Sequence, residues 1–168
     1  MKNDKTKLLV YAGLFTALTT IATYFFKIET LIGYVNLGDG VIFAAAYALG
    51  PIAALVGGVG SALADLFAGY VIYIPATFVI KTFMGFFTAK MMKLNKDFMI
   101  FKNLLIFLFA EIVMVGGYFI FESIIYGMEG ALGSVIPNIC QGIVGIGIGM
   151  FACLALKKTG LASSNDKH

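Results

Sequence analysis

The chain has 168 residues, of which 60% are hydrophobic and only 12% charged, and its formal net charge of +3 rests on lysine alone. Soluble domains carry close to half apolar and a quarter charged residues, so this balance excludes one, and with no basic face outside the flanks of the apolar runs it excludes a nucleic-acid binder too. The uncharged runs 8–26, 40–64 and 130–156 each reach the roughly 20 apolar residues that span a bilayer, and their continuity on both faces excludes a transmembrane β-barrel.

The predicted class is an all-α integral membrane protein with six transmembrane helices. Lysines favour the cytoplasmic side, and they cluster at Lys2, Lys5 and Lys7, at Lys90, Lys93, Lys96 and Lys102, and at Lys157, Lys158 and Lys167. Both termini and the middle are therefore expected inside, with an even number of crossings between clusters. Helix 1 is predicted over about 8–26. A secretory signal peptide competes for this run, but it is long for such a core and lacks a small-x-small cleavage site. An outer loop over 27–39 follows, with Gly33, Gly38 and Gly40 at turn positions. Helix 2 takes about 40–49 and stops at Gly50-Pro51, because proline lacks a donor and disfavours helix at the preceding residue. It is short for a full span and needs tilt or the support of neighbours. Helix 3 covers 52–68, and helix 4 starts near Pro75, a residue suited to a first helical turn. Helix 5 covers about 103–121, an outer loop holds Glu122 and Glu129, and helix 6 covers about 132–156. Residues 1–158 form one transmembrane domain in this reading, and 159–168 a disordered tail.

Charged groups inside a bilayer cost about 2.5 to 3.5 kcal/mol each on insertion scales, so each needs a partner or a use. The intramembrane set is Asp65, Lys81 and Glu111, with the amides Asn138 and Gln141. At about 1.5 Å of rise per residue, Asp65 lies roughly 6 Å and Lys81 roughly 9 Å below the outer turn, within reach of each other. Asn138 and Gln141 share a helix face at roughly 9 and 14 Å, and Glu111 lies at roughly 15 Å. All five fall in the outer half of the membrane, which suggests a pocket open to the outside. Plainer roles stand beside that one: an Asp65–Lys81 ion pair locking two helices, interhelical amide bonds, and a protonated Glu111. Above the pocket, Tyr34, Asn36 and Asp39 sit on a glycine-hinged loop and Tyr70 and Tyr73 in the next turn. The tyrosines could be interfacial anchors and Asp39 a helix N-cap; together they could also hold a flat aromatic ligand with hydroxyl groups.

Catalytic signatures are missing. There is no G-x-x-x-x-G-K-[ST] phosphate loop, no H-E-x-x-H and no G-x-S-x-G elbow, and the sole histidine is His168. Cys140 and Cys153 share one apolar segment, so neither a disulfide framework nor a cysteine-rich metal site is expected. Binding or transport remains. Small residues recur at four-residue spacing as Ala12/Thr16 and Gly13/Ala17 in helix 1, Gly57/Ser61 and Gly58/Ala62 in helix 3, and Gly145/Gly149 in helix 6, which permits close helix approach.

The stretch Val35-Asn36-Leu37-Gly38-Asp39, then Gly50-Pro51, then 57–66 (GGVGSALADL) and 73–81 (YIPATFVIK), resembles the S components of energy-coupling factor (ECF) vitamin transporters. The resemblance covers nearly the whole chain and is strongest to the branch assigned to pyridoxine or hydroxymethylpyrimidine. It implies a bacterial cytoplasmic-membrane protein that captures a vitamin from outside under a lid of outer loops. Such a subunit docks on the transmembrane coupling subunit EcfT, which carries two cytosolic ATPases, and topples to carry the ligand inward. The vitamin is cargo, and neither cofactor nor metal is implied. On this resemblance Asn36 and Asp39 belong to the lid, Tyr70 and Tyr73 cap the ring, and Asp65, Lys81, Glu111, Asn138 and Gln141 form floor and walls. The family's Ala-x-x-x-Ala docking motif corresponds to Gly13-x-x-x-Ala17 or Ala12-x-x-x-Thr16, with both registers open. Two other readings remain: an ion-driven transporter with Glu111 or Asp65 as proton carrier, and a structural membrane protein without a ligand.

Overall fold

The computed structural model describes residues 2–94 and 99–158; the tail expected over 159–168, with Lys167, and the loop lysine Lys96 lie outside the described residues. The long helix α1 (Lys2–Phe25) is followed by two short antiparallel strands, β1 (Ile28–Glu29) and β2 (Tyr34–Val35), paired Ile28 to Val35 and Glu29 to Tyr34. The segment expected as plain loop is thus a small hairpin, and Thr30 N–H donating to the Gly33 carbonyl at 2.8 Å closes its turn. Next come α2 (Gly38–Leu49), a 3-10 turn (Gly50–Ile52) carrying Pro51, and α3 (Ala53–Ala68). A second 3-10 turn (Val71–Tyr73) leads into α4 (Ile74–Leu94), with Pro75 in its first turn as expected.

Helix α3 ends on Gly69 at φ 81°, a left-handed conformation that glycine adopts without a Cβ clash, and Tyr70 N–H closes the end on the Asp65 carbonyl at 2.9 Å. Beyond α4 the helical run α5 (Ile100–Lys158) is broken at Gly127, where φ 77° and ψ 171° lie in a region open essentially to glycine alone. The arm 100–126 and the arm 128–158 fold back on each other. Ser134 donates to Glu122, and a Cβ on Gly142 would meet the Glu111 side chain at 3.1 Å, as antiparallel neighbours require. Helix 5 is expected from the sequence to stop near 121, with Glu122 in an outer loop. No proline or polar cluster stops it there, so Glu122 stays helical and buried.

Helix α2 sits at the centre, packed by α1, α3, α4 and α5. It is apolar on every side, which suits a helix with no lipid-facing stripe, and its neighbours supply the support its 12 residues require. Phe43 stacks on Phe107 with ring centres 4.2 Å apart, within a core that also holds Met84, Met114 and Cys153. A second core joins Ala45, Ala46, Ala53, Val56 and Ala89 to Ala12 and Phe15 of α1. Helices α3 and α4 approach so closely that a Cβ on Gly85 would stand 2.3 Å from the Ala53 carbonyl oxygen.

The two small-residue registers of α1, about 100° apart around the helix, differ in packing. Ala12 packs on the second core and the Thr16 carbonyl lies against Gly60, whereas Gly13 has no neighbour within 4 Å of its would-be Cβ and Ala17 is exposed. Large apolar side chains on the outside, such as Leu14, Phe25, Ile136 and Phe151, mark the lipid-facing surface. Among the described residues, four stretches are long and apolar enough to cross a membrane, and the last, Ile100–Lys158, has 59 residues. Straight, it would reach roughly 88 Å against a hydrocarbon core of about 30 Å, so the turn at Gly127 is what fits it to a bilayer.

Candidate functional site

Each apolar helix contributes a sparse polar stripe at helical spacing. Helix α3 gives Ser61 and Asp65, α4 with its preceding turn gives Tyr73, Thr77 and Lys81, the first arm of α5 gives Glu111, Tyr118 and Glu122, and the second gives Ser134, Asn138 and Gln141. Spacings of 3, 4, 7 and 11 residues keep each set on one helix face. The faces converge under the hairpin on a partly open cavity.

Of the residues expected in the site, Asn36, Asp65, Tyr70, Tyr73, Lys81, Asn138 and Gln141 line this cavity. Asp39 and Glu111 do not; they stand behind the wall. The Lys81 ammonium donates to Asp39, with both side chains buried. This corrects the expected Asp65–Lys81 pair. Helix α2 starts at Gly38 after Leu37, so Asp39 is neither its N-cap nor part of the lid but sits in the first turn, fully buried and directed at Lys81. Lys81 also stands 5.6 Å from the centre of the Tyr118 ring, a second contact favourable to its charge.

A chain of amides ties roof to floor. Gln141 donates to the other Asp39 oxygen at 2.6 Å, and its carbonyl oxygen accepts from the Asn36 backbone at 2.9 Å and the Asn36 side chain at 3.2 Å. Asn36 in turn accepts from the Gly38 N–H at 2.9 Å, which fixes the entry to α2. The hairpin is held from the other side by Tyr73, whose hydroxyl donates to the Ile32 carbonyl at 2.8 Å and lies 3.1 Å from Glu122.

Asp65 is 3% exposed and accepts from the Tyr34 hydroxyl. Thr77 faces the same carboxylate, yet its Oδ2 is buried without a hydrogen bond of normal geometry. Burial, with the Asp65 charge adding to it, pushes the Tyr34 phenol well above its ordinary pKa, so it remains a donor. Tyr34 and Tyr118 stand near this carboxylate, and ring contacts run from Tyr34 to Tyr70 at 5.0 Å, from Tyr70 to Tyr73 at 6.0 Å and from Tyr73 to Tyr118 at 6.4 Å between centres. Glu111 is 4% exposed with neither carboxylate oxygen hydrogen-bonded, and a Cβ on Gly145 would meet it at 2.8 Å and Asp39 at 2.9 Å. No group of three metal-ligating side chains occurs among the described residues.

Tyr118, Glu122, Thr77 and Ser134 also line the cavity, beyond the residues expected there, and Tyr34 is legible in the sequence only as a loop aromatic. A signal for them exists. Tyr118 and Glu122 follow Glu111 by 7 and 11 residues and Thr77 precedes Lys81 by 4, all on the face of a residue already suspect. Glu122 is hidden only if the helix is assumed to end before it.

The fold is that of a mainly helical membrane protein with a tyrosine-walled polar cavity under a small hairpin. The chain matches the family described as ECF-type riboflavin transporter, S component, over residues 3–158. It is 30% identical over 173 residues to the thiamine precursor transporter HmpT of Lactococcus lactis subsp. cremoris (strain MG1363), covering 99% of this chain and 98% of that one. It is also 37% identical over 127 residues, 75% of this chain and 84% of the other, to an uncharacterized protein in a gap 3'region of Pyrococcus woesei. The protein belongs to the ECF S-component family. It is accordingly a multi-pass cell-membrane transporter subunit and not an enzyme, working with a small-molecule substrate and an ECF module.

Proposed function

We propose that this chain is the high-affinity substrate-binding S component of an ECF importer for a single-ring vitamin or vitamin precursor, a hydroxymethylpyrimidine or pyridoxine. In this reading the chain crosses the membrane six times with both termini on the cytoplasmic side, which the lysine clusters and the fold-back of α5 at Gly127 support. The observation that carries the reading is Asp65, a buried carboxylate lining a cavity with tyrosine walls, whose Oδ2 has no hydrogen bond of normal geometry. Buried polar atoms are nearly always satisfied, and a cargo hydroxyl, amine or ring N–H would satisfy this one. The thiamine precursor relative supports the same substrate size. Asn138 and Gln141 offer further donors and acceptors along the wall. The vitamin is cargo and no cofactor is required.

In this function the hairpin with Asn36 is the lid, and Asp39 acts beneath it by holding Lys81 and Gln141. The outward register Gly13-x-x-x-Ala17, rather than Ala12-x-x-x-Thr16, meets the coupling subunit EcfT, and two partner ATPases supply the energy. Native mass spectrometry of the purified protein tests the reading: a co-purified hydroxymethylpyrimidine or pyridoxine mass is expected. Asn138→Ala should weaken binding about tenfold, the scale of one lost hydrogen bond to a bound ligand, without altering insertion. Unchanged affinity in that variant removes Asn138 from the site.

The unpartnered Glu111 favours one other reading, a stand-alone transporter with Glu111 as proton carrier. Uptake would then collapse with an uncoupler and survive loss of the ATPases; the S-component reading expects the reverse.

A further inference from the structure

Charge on the cavity wall is lopsided. Lys81 is the one lysine among its lining residues, and it is already held by Asp39, while the chain has no arginine at all. Asp65 and Glu122 face the cavity as carboxylates. Glu122 accepts from Ser134, and its other oxygen lies 3.1 Å from the Tyr73 hydroxyl, whose proton goes to the Ile32 carbonyl. Asp65 has one buried oxygen, Oδ2, without a hydrogen bond of normal geometry, with Thr77 beside it. The rings near this carboxylate are the second observation. Tyrosine faces attract cations, and Tyr34 and Tyr70 already do so on their outer side, where the Lys27 ammonium stands 5.8 Å from each ring centre and 5.5 Å from that of Tyr24. A desolvated carboxylate beside tyrosine rings is the chemistry that takes a cation or a strong N–H donor. The same wall gives an anion no counter-charge, and burying one there would leave it unpaired.

We propose that the cargo carries a basic nitrogen, an amine or amidine-like N–H group, seated on Asp65 beside the tyrosine rings, and that phosphorylated or carboxylated relatives are excluded. This rests on the reading of the chain as a receptor for a single-ring vitamin precursor and adds the charge class of that ring. The Asp65 carboxylate accepts the N–H bond, and Tyr34 stays as its second donor.

Titration calorimetry on the full-length protein, freed of bound cargo, tests this with matched probes. One pair is 4-amino-5-hydroxymethyl-2-methylpyrimidine against its 4-hydroxy analogue; another is pyridoxamine against pyridoxine; pyridoxine 5′-phosphate and 4-pyridoxic acid are the anions. In whichever pair binds, the amino member is expected to bind about tenfold or more tightly, as a charge-assisted bond provides, and the anions not measurably. Asp65→Asn should abolish that preference. Equal or tighter binding of the hydroxy member, or binding of an anion within tenfold of the best probe, overturns the proposal and leaves the vitamin reading standing. If none of the six binds, the vitamin reading itself falls and this proposal with it. The wild-type comparison decides even if Asp65→Asn does not fold.

Discussion

Lys81 shows how one side chain is tolerated in a membrane core. It is 2% exposed, its charge is met by Asp39, and Tyr118 offers a ring face. Removing one member of a buried pair strands the other, which typically costs about 3–5 kcal/mol, whereas removing both together can be close to neutral. Lys81→Met is therefore expected to lower the thermal midpoint strongly, and the double variant with Asp39→Asn to recover most of the loss. Tyr34 makes a separate prediction. Its folded-state pKa is raised, so below the ordinary tyrosine value of about 10 the Tyr34–Asp65 bond contributes fully, and above it the unfolded chain loses a proton that the folded one retains. Stability should fall as pH rises past about 10, and the fall should be smaller in Tyr34→Phe, measured by thermal unfolding across that range. Depth along a helix is legible in the sequence, because rise per residue is constant, and this is why Asp65, Lys81, Asn138 and Gln141 are expected at one level. The partner of Lys81 is not legible, because two carboxylates lie within reach and rotation about the helix axis, set only by packing, decides between them.

At the scale of elements, the glycines carry the geometry. Gly85 lies against the Ala53 backbone, which has nowhere to move, so Gly85→Ala should part α3 from α4 and cost at least about 1–3 kcal/mol, as overpacking does. Gly127→Ala meets no neighbour but must hold φ 77° and ψ 171°; it should cost about 1–3 kcal/mol or shift the break along α5. Thermal unfolding in detergent of the two variants, compared with Gly13→Ala as a neutral control, would separate crowding from backbone strain. Helix ends at Gly50-Pro51, Gly69 and Pro75 are legible because local chemistry dictates them. The continuation of α5 through Glu122 is not, because a charged residue after an apolar run reads as a helix end, whereas here Ser134 donates to it inside the fold.

Across the whole molecule, the proposed binding cavity and the proposed docking register lie on different faces. The cavity opens beneath the hairpin, and the outward Gly13/Ala17 register lies on the exposed side of α1. Gly13→Leu should consequently leave stability and ligand affinity unchanged while abolishing vitamin uptake into cells; unchanged uptake would place the docking surface elsewhere. The family is readable from residues 34–81, whereas the choice between α1 registers needs the packing of Ala12 on the second core and of the Thr16 carbonyl against Gly60.

The burial of α2 also bears on how the chain is made. Asp39 emerges from the ribosome 42 residues before Lys81 and 102 before Gln141, the two groups that satisfy its oxygens. Until both have been synthesised, a 12-residue segment carrying an unmatched carboxylate has little reason to stay within lipid. Nascent chains arrested before residue 81 should leave α2 open to aqueous cysteine labelling, and those released after 141 should protect it, so that biogenesis of the central helix is finished from the far end of the polypeptide.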